Sequence, residues 1–399
     1  AETTGAQHCT AVGYRALLAQ NGNVKNTAIG ALAGQTIDDG DRNTLVGYLA
    51  GGDIAGGDDN VCVGDMTMVN GTGSQNVVIG SGAGSSNQNG TSTQFTGGVN
   101  VLIGYSAGND LTNGPGNVLI GASAGANMTT GDYNIAIGYQ AAVALAGDSD
   151  HNIAIGKDSL LGEDLASHCI AIGVNTLLVQ NDPSAKNLAI GASAGQTIST
   201  GTQNVLIGHE AGKTIADDHN NTALGYNALK NATAGNQNTA IGSLAMGLGA
   251  ASGASNTCVG YAAGYDLTTG INNVMVGDGA GANVTTGQDN IIIGYSACGT
   301  GVLATGGDAA MGKYNLVIGS SAGDDLTTGS SNILLGRNAG KELTVGHNNI
   351  AIGHGALDAA DTGSDKFYNV AIGTSALGGQ TADATYCVAV GHHALLLQN

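Results

Sequence analysis

The chain has 399 residues, 69 of them Gly and two Pro, and its 30 Asp and Glu against 11 Lys and Arg leave a net charge of −19. That balance excludes a basic stripe able to neutralise phosphates and predicts repulsion from an anionic membrane surface, so neither nucleic acid nor membrane is an expected partner. Hydrophobic residues reach 42%, yet there is no Trp and there are only two Phe, which predicts a thin, regular core of Ala, Val, Ile and Leu without an aromatic ligand pocket.

Taken in chain order, the sequence repeats one unit. The first copy opens at Cys9 and closes at Gly13; Asn26-Thr27-Ala28-Ile29-Gly30 follows, then Asn43-Thr44-Leu45-Val46-Gly47, and so on to Cys387 and Gly391. The frame is Asn-x-x-Ile-Gly-x-x-Ala-Gly, then a loop often reading Thr-Thr-Gly. It occurs 22 times, with Gly closing every copy, Asn opening 19 and Ala standing three residues after the Gly in 19. Thirteen of the 21 steps are 17 residues; the long ones are 24 from Asn76 to Asn100, 25 from Asn290 to Asn315 and 20 from Asn349 to Asn369. Each copy is too short for a helical pair, and its three-residue, β-branched run ended by Gly reads as a short buried strand and a turn. Insertions confined to the loop are what a solenoid permits. The expected fold is therefore all-β: a parallel β-solenoid or β-roll of about 22 rungs, one continuous repeat domain over 1–399, about 100 Å long at about 4.8 Å per rung.

The repeated positions have physical roles. The Asn predicts a stacked amide ladder. The Gly predicts positive φ or close backbone approach, and the Ala a narrow interior. Within each strand the third frame position (Ala28, Leu45, Cys62, Val78, Leu102, Leu119, Met275, Ile292, Leu334) faces opposite to the second and fourth, and all are largely apolar. A strand apolar on both faces is buried on both. One face is covered by the opposite wall and the other calls for identical chains around an axis, with a homotrimer the expected count. The fourth position, for example Ile137, is assigned inward.

The strings NTALGYNALKNATAGNQNTAIG (221–242) and NVAIGTSALGG (369–379) resemble the β-roll head repeats of trimeric autotransporter adhesins and the repetitive shafts of phage tail-fibre proteins. The 17-residue rung is longer than the typical autotransporter one. The resemblance implies a rigid extracellular or virion-associated fibre, not an enzyme, with adhesion to cell-surface glycans or a receptor.

No catalytic constellation and no cofactor site emerges. The recurrent Gly-x-x-Ala-Gly lacks a following helix and carries no nucleotide signal. Asp38-Asp39, Asp58-Asp59, Asp217-Asp218 and Asp324-Asp325 are expected as solvated turn residues, with Ca²⁺ ligation the alternative. The Thr pairs at Thr129, Thr268, Thr285 and Thr327 raise an ice-binding face as a further alternative, and polysaccharide recognition along one face a third. Cys9, Cys169 and Cys387 occupy the Asn slot, in three sister rungs that continue alike through Gln20-Asn21, Gln180-Asn181 and Gln398-Asn399. Cys62, Cys258 and Cys298 are expected in the core. Two long loops, 85–99 and 299–314, are the candidate recognition elements, with Phe95 and Tyr314 as their aromatic residues. The opening Ala1-Glu2-Thr3-Thr4-Gly5 shows no signal peptide. It reads as a loop that would follow Asn399, so head-to-tail stacking with a Cys9–Cys387 inter-subunit disulfide is expected.

Overall fold

The structure is a computed structural model and describes residues 8–20, 25–85, 94–145, 147, 149–162, 167–233, 235–301, 312–358, 367–379 and 385–396. These residues contain strands and turns and no helix. The chain divides into two compact units, Ala1–Thr202 and Gln203–Asn399. The first carries eleven three-residue strands from Thr10–Val12 to Leu188–Ile190; the second carries eleven more, from Val205–Ile207 to Val388–Val390.

Within each unit successive strands pair parallel and in register, Thr27 opposite Thr44 and Val118 opposite Ile135 in the first, Thr222 opposite Thr239 in the second. The long steps leave that register intact. Val77 pairs with Val101, Ile291 with Leu316 and Ile350 with Val370. The extra residues are therefore absorbed in the loops, as a solenoid requires. In the first unit a second wall forms a smaller parallel ladder from Ala19–Gln20, Thr36–Ile37 and Asp53–Ile54.

Three columns hold the rungs. In the Asn column the backbone N–H of each Asn donates to the side-chain oxygen of the Asn one rung earlier, as from Asn43 to Asn26 at 2.7 Å and from Asn134 to Asn117 at 2.9 Å. The amide nitrogen donates onward to a loop carbonyl, Asn26 to Gly40 at 2.8 Å. A buried amide bonded this way serves two rungs, and its bonds compensate its burial; the side-chain nitrogens of Asn100 and Asn221 are buried without a partner. In the Gly column φ is +136° at Gly121, and a Cβ there would lie 2.4 Å from the carbonyl oxygen of Gly138. Only Gly permits that approach. The Ala column is fully buried from Ala33 through Ala376.

The Cys169 rung has its own device. Cys169 still donates its N–H to Asn152, at 2.9 Å, but has no amide oxygen to offer Asn187. Gln180, wholly buried, supplies one: Asn187 Nδ2 donates to Gln180 Oε1 at 2.6 Å, and Gln180 Nε2 donates to the Ser199 carbonyl at 2.9 Å. The Cys169 sulfur takes the backbone N–H of Asn187, and Gln180 takes its side-chain amide; Gln20, the counterpart in the Cys9 rung, is buried with its amide unpartnered.

The strand interior differs from expectation in one respect. The middle residue of each strand is the buried one: Ala28, Leu45, Leu119, Ala136 and Met275 are fully enclosed. Ile137, assigned inward from sequence, is 36% exposed. The 3.3 Å-per-residue alternation of the strand forces the correction: once the middle side chain points into the coil, its two neighbours point out. One face is covered within the chain and the other is left outward, as the strand pattern predicts.

Candidate interaction surface

The outward face of the strand stack is built by the same alternation. In both units the first and third residues of every three-residue strand are Thr, Val, Ile or Leu. No charge interrupts either column, in a chain whose net charge is −19. Ile29, Leu224, Ile291 and Ile318 are among the exposed ones. The residue after the column Gly extends the face. Here stand seven exposed tyrosines: Tyr14, Tyr48, Tyr105 and Tyr139 in the first unit, Tyr226, Tyr261 and Tyr295 in the second. Three strand residues across at about 3.3 Å, over eleven rungs of about 4.8 Å, give roughly 520 Å² of uncharged face for one unit; the column after the Gly, which borders it, mixes the tyrosines with Asp65, Lys157, Asp278 and Arg337. The largest apolar patches on soluble monomers reach about 300–600 Å². Half a standard protein interface is about 800 Å².

A second exposed column precedes the Asn. Its residues hold φ near +55°, so each side chain leaves the coil at a left-handed corner. His151 and His168 stack there with ring centroids 5.2 Å apart, and Tyr133 lies 5.5 Å from His151. Tyr368 and Tyr386 stack at 5.1 Å. The candidate recognition residue Tyr314 belongs to this column and is 61% exposed.

Phe95, the other candidate, is fully buried and bridges Gly71 in the preceding rung. It fills the interior slot that Leu111 and Met128 occupy in the next two rungs, so it is a core residue and not a recognition residue. The bulk of the two candidate loops, 86–93 and 302–311, lies outside the described residues.

The paired carboxylates have separate fates. Asp58 accepts the Asp41 N–H at 2.7 Å, and Asp59 pairs with the Arg42 guanidinium, whose bond holds the carboxyl below its ordinary range. Asp218 is not a solvated turn residue. It is buried, its Oδ2 meets no partner, and burial with the neighbouring Asp217 charge raises its carboxyl to about 6. Glu210 is held down to about 2 by Lys213 and Lys230, each 2.6 Å away. No group of three or more His, Cys, Asp and Glu side chains is placed to hold a metal ion among the described residues. The loop hydroxyls of Thr112, Thr268 and Thr327 donate to the carbonyls of Thr129, Thr285 and Thr344, one rung on. They serve the coil, and this weighs against a Thr-based ice face.

Cys62, Cys258 and Cys298 are buried, and desolvation pushes their thiols up to about 12. Cys9 and Cys387 are half-buried and no disulfide joins described residues. A surface hollow of about 530 Å³ in the first unit is lined by Val143, Leu161, Leu178 and Val179 with Gln140 and Asn181 at its polar margin. Among the described residues no helix is long and apolar enough to cross a membrane. No protein-family model matches the chain, and no curated protein matches it.

Proposed function

We propose that the protein is a structural subunit that assembles side by side with copies of itself into an extracellular or virion-associated fibre. The observation that carries the reading is the uncharged, apolar, outward strand face. An acidic chain repels a second copy everywhere except where its charge is excluded, and a long, flat β-face with that composition is a surface awaiting a partner. The columns behind it are rigid and hydrogen-bonded, which suits a load-bearing shaft. Tyr314 and the loops around 85–99 and 299–314 are the parts of such a fibre that would contact a glycan or receptor. A covalent head-to-tail link through Cys9 and Cys387 belongs to the same reading.

Sedimentation of the purified chain tests it. Assemblies of two or more 39.0 kDa chains are expected, and Ile293→Lys with Ile318→Lys on the outward face should return them to monomers without loss of β-structure. A wild type that stays monomeric at high concentration would remove the proposal. Non-reducing electrophoresis reads the covalent part: bands above the monomer that vanish in Cys387→Ser support it, and monomers alone sink it.

The column of Tyr133, His151 and His168, with its two imidazoles stacked, favours a second reading, polysaccharide binding along the pre-Asn corner, since exposed rings suit sugar faces. Binding to a glycan panel that survives His151→Ala with His168→Ala would remove it.

A further inference from the structure

The tyrosines that follow the column Gly are never on adjacent rungs. In the second unit they stand on alternate ones: Tyr226, then Ser243, Tyr261, then Asp278, Tyr295, then Ser320, with His209 before the first. All three are more than half exposed. His209 and Tyr226 stack with centroids 5.5 Å apart and planes 15° from parallel. The ring of Tyr226 therefore lies flat in its rung, like a tooth on a comb. Successive teeth are two rungs apart, about 9.6 Å. Each gap is backed by Ser or Asp and fits one more ring, about 4.8 Å from both neighbours, inside the range of about 4.5–7 Å for stacked aromatic pairs. The chain already stacks rings of adjacent rungs at this spacing, at 5.1 Å for Tyr368 with Tyr386 and 5.2 Å for His151 with His168.

We propose that the second unit pairs antiparallel with the same unit of a second copy, the Tyr226, Tyr261 and Tyr295 teeth of each filling the gaps of the other. This rests on the reading of the strand face as a self-association surface and fixes its geometry. Only a partner with the same rung rise keeps step along three teeth, which selects a second copy over an unrelated protein. Symmetry then selects the orientation. Any rotation about the stack direction sets equal rungs at equal heights, so tooth meets tooth; that includes the threefold arrangement expected from sequence. A twofold axis running along the strands reverses the rung order and keeps both combs at the same edge of the face. Placed midway between the rungs of Tyr261 and Asp278, it yields one column of eight rings: His209, Tyr226, the partner's Tyr295, Tyr261, the partner's Tyr261, Tyr295, the partner's Tyr226 and the partner's His209, the last facing Arg337. Every tooth then faces Ser243, Asp278 or Ser320. Moving the axis down one rung would drive the partner's Tyr295 into His209.

The test uses the full chain. Sedimentation equilibrium is measured for the wild type and for Tyr226→Ser/Tyr261→Ser/Tyr295→Ser, with circular dichroism confirming that the exposed substitutions leave the fold intact. The wild type is expected as a dimer, and the triple variant to dissociate at least about 100-fold more readily. In a Cys9→Ser/Cys387→Ser background, His354→Cys is spin-labelled. Its rung lies four and a half rungs from the axis, so the labels of an antiparallel pair stand about 45 Å apart. An in-register arrangement puts them at equal heights and within about 25 Å. A short distance, or a triple variant that associates as the wild type does, overturns the comb and leaves the strand-face reading standing. A monomeric wild type overturns both.

Discussion

Two stretches of the first unit solve the same packing problem in opposite ways. In the rungs opening at Asn100 and Asn117 the strand contributes a large interior residue, Leu102 or Leu119, and the residue after the column Ala is Gly108 or Gly125. In the rungs opening at Asn152 and Cys169 the strand contributes Ala154 or Ala171, and the same turn position carries Leu160 or Leu177, both fully buried. The turn is left-handed either way, with φ of +56° at Gly125 and 47° at Leu177. A Cβ added at Gly125 would lie 2.8 Å from Leu119 Cδ1. In these rungs the interior volume is filled from the strand or from the turn; where both positions are small, as at Ala28 with Gly34, side chains from elsewhere, Leu17, Ile37 and Leu45, reach the space. The Gly column does not vary between the two stretches, because backbone contact and not volume fixes it.

The largest effect should come from what the two stretches share. Gly121→Val forces a side chain against the Gly138 carbonyl at a φ that Val does not adopt, as Gly173→Val does against Gly191. Each should cost about 4 kcal/mol or more, measured by denaturant unfolding. A mild loss in one stretch and a severe one in the other would mean the columns are not equivalent.

The interior should trade. Leu119→Ala is expected to cost about 3 kcal/mol, the usual range for a buried Leu, and Gly125→Leu alone about 1–3 kcal/mol through overpacking. Together they recreate the arrangement of Ala171 with Leu177. The double variant should recover all but about 1 kcal/mol, the remainder being the cost of Leu in a left-handed turn. Additive losses in the double-mutant cycle would show that the two solutions depend on their neighbours and cannot be exchanged rung by rung.

Much of this was legible in the residues. The Asn, Gly and Ala columns announce themselves by recurrence at a near-constant step, and the loop insertions by lengthening that step, as before Val101, while the strand frame stays intact. The facing of the strand was not legible. With Ile135, Ala136 and Ile137 all apolar, alternation gives two faces, and this copy carries no mark of which is inner. Phe95 was misplaced because an insertion hides its alignment with Leu111. The Cys169–Gln180 exchange was visible as a co-occurrence in three sister rungs, but its hydrogen bonds need coordinates. The Tyr alternation was open to counting, yet acquires meaning only once the Tyr226 ring is seen stacked on His209, one rung before it.

A smaller effect sharpens the comparison between fixed and tradeable columns. Asp218 stands where Gly201 and Gly235 stand in the adjacent copies, three residues before the Asn. Its carboxyl is raised from 3.8 to about 6, chiefly by burial. A raised acid binds its proton more tightly in the folded state. Its charged form therefore destabilises the fold above pH 6, and stability is regained as pH falls from 6 towards 4. Asp218→Gly should raise stability at pH 7 by about 1–3 kcal/mol and flatten the pH profile between 4 and 6. Some slope remains from Asp358, which burial also raises. Below that window Glu210, held down to about 2, gives stability that is lost as pH falls through 4.5 towards 2, in wild type and variant alike. Urea midpoints at pH 4, 5, 6 and 7 read both; an unchanged slope in Asp218→Gly would put the titration elsewhere.

The smallest effect is the one that sequence reasoning would have made severe. Ile137 is 36% exposed and Ala136, beside it, is wholly buried. Ile137→Asp adds a carboxylate that water can reach, so no buried charge has to be accommodated, and the unfolding free energy of isolated chains should fall by no more than about 1 kcal/mol. Ala136→Asp serves as the internal contrast. It places an unpaired carboxylate between Leu119 and Ala154, its neighbours in register in the adjoining strands, where neither water nor a cation reaches it, and such a group is destabilising by several kcal/mol. The pair must be compared at low protein concentration, because an outward Asp also repels a second copy and would otherwise lower the melting temperature through dissociation. Equal melting of wild type and Ile137→Asp in dilute solution, diverging as concentration rises, is the signature of an outward residue that other chains cover. Equal and large losses for Ile137→Asp and Ala136→Asp in dilute solution would return Ile137 to the interior.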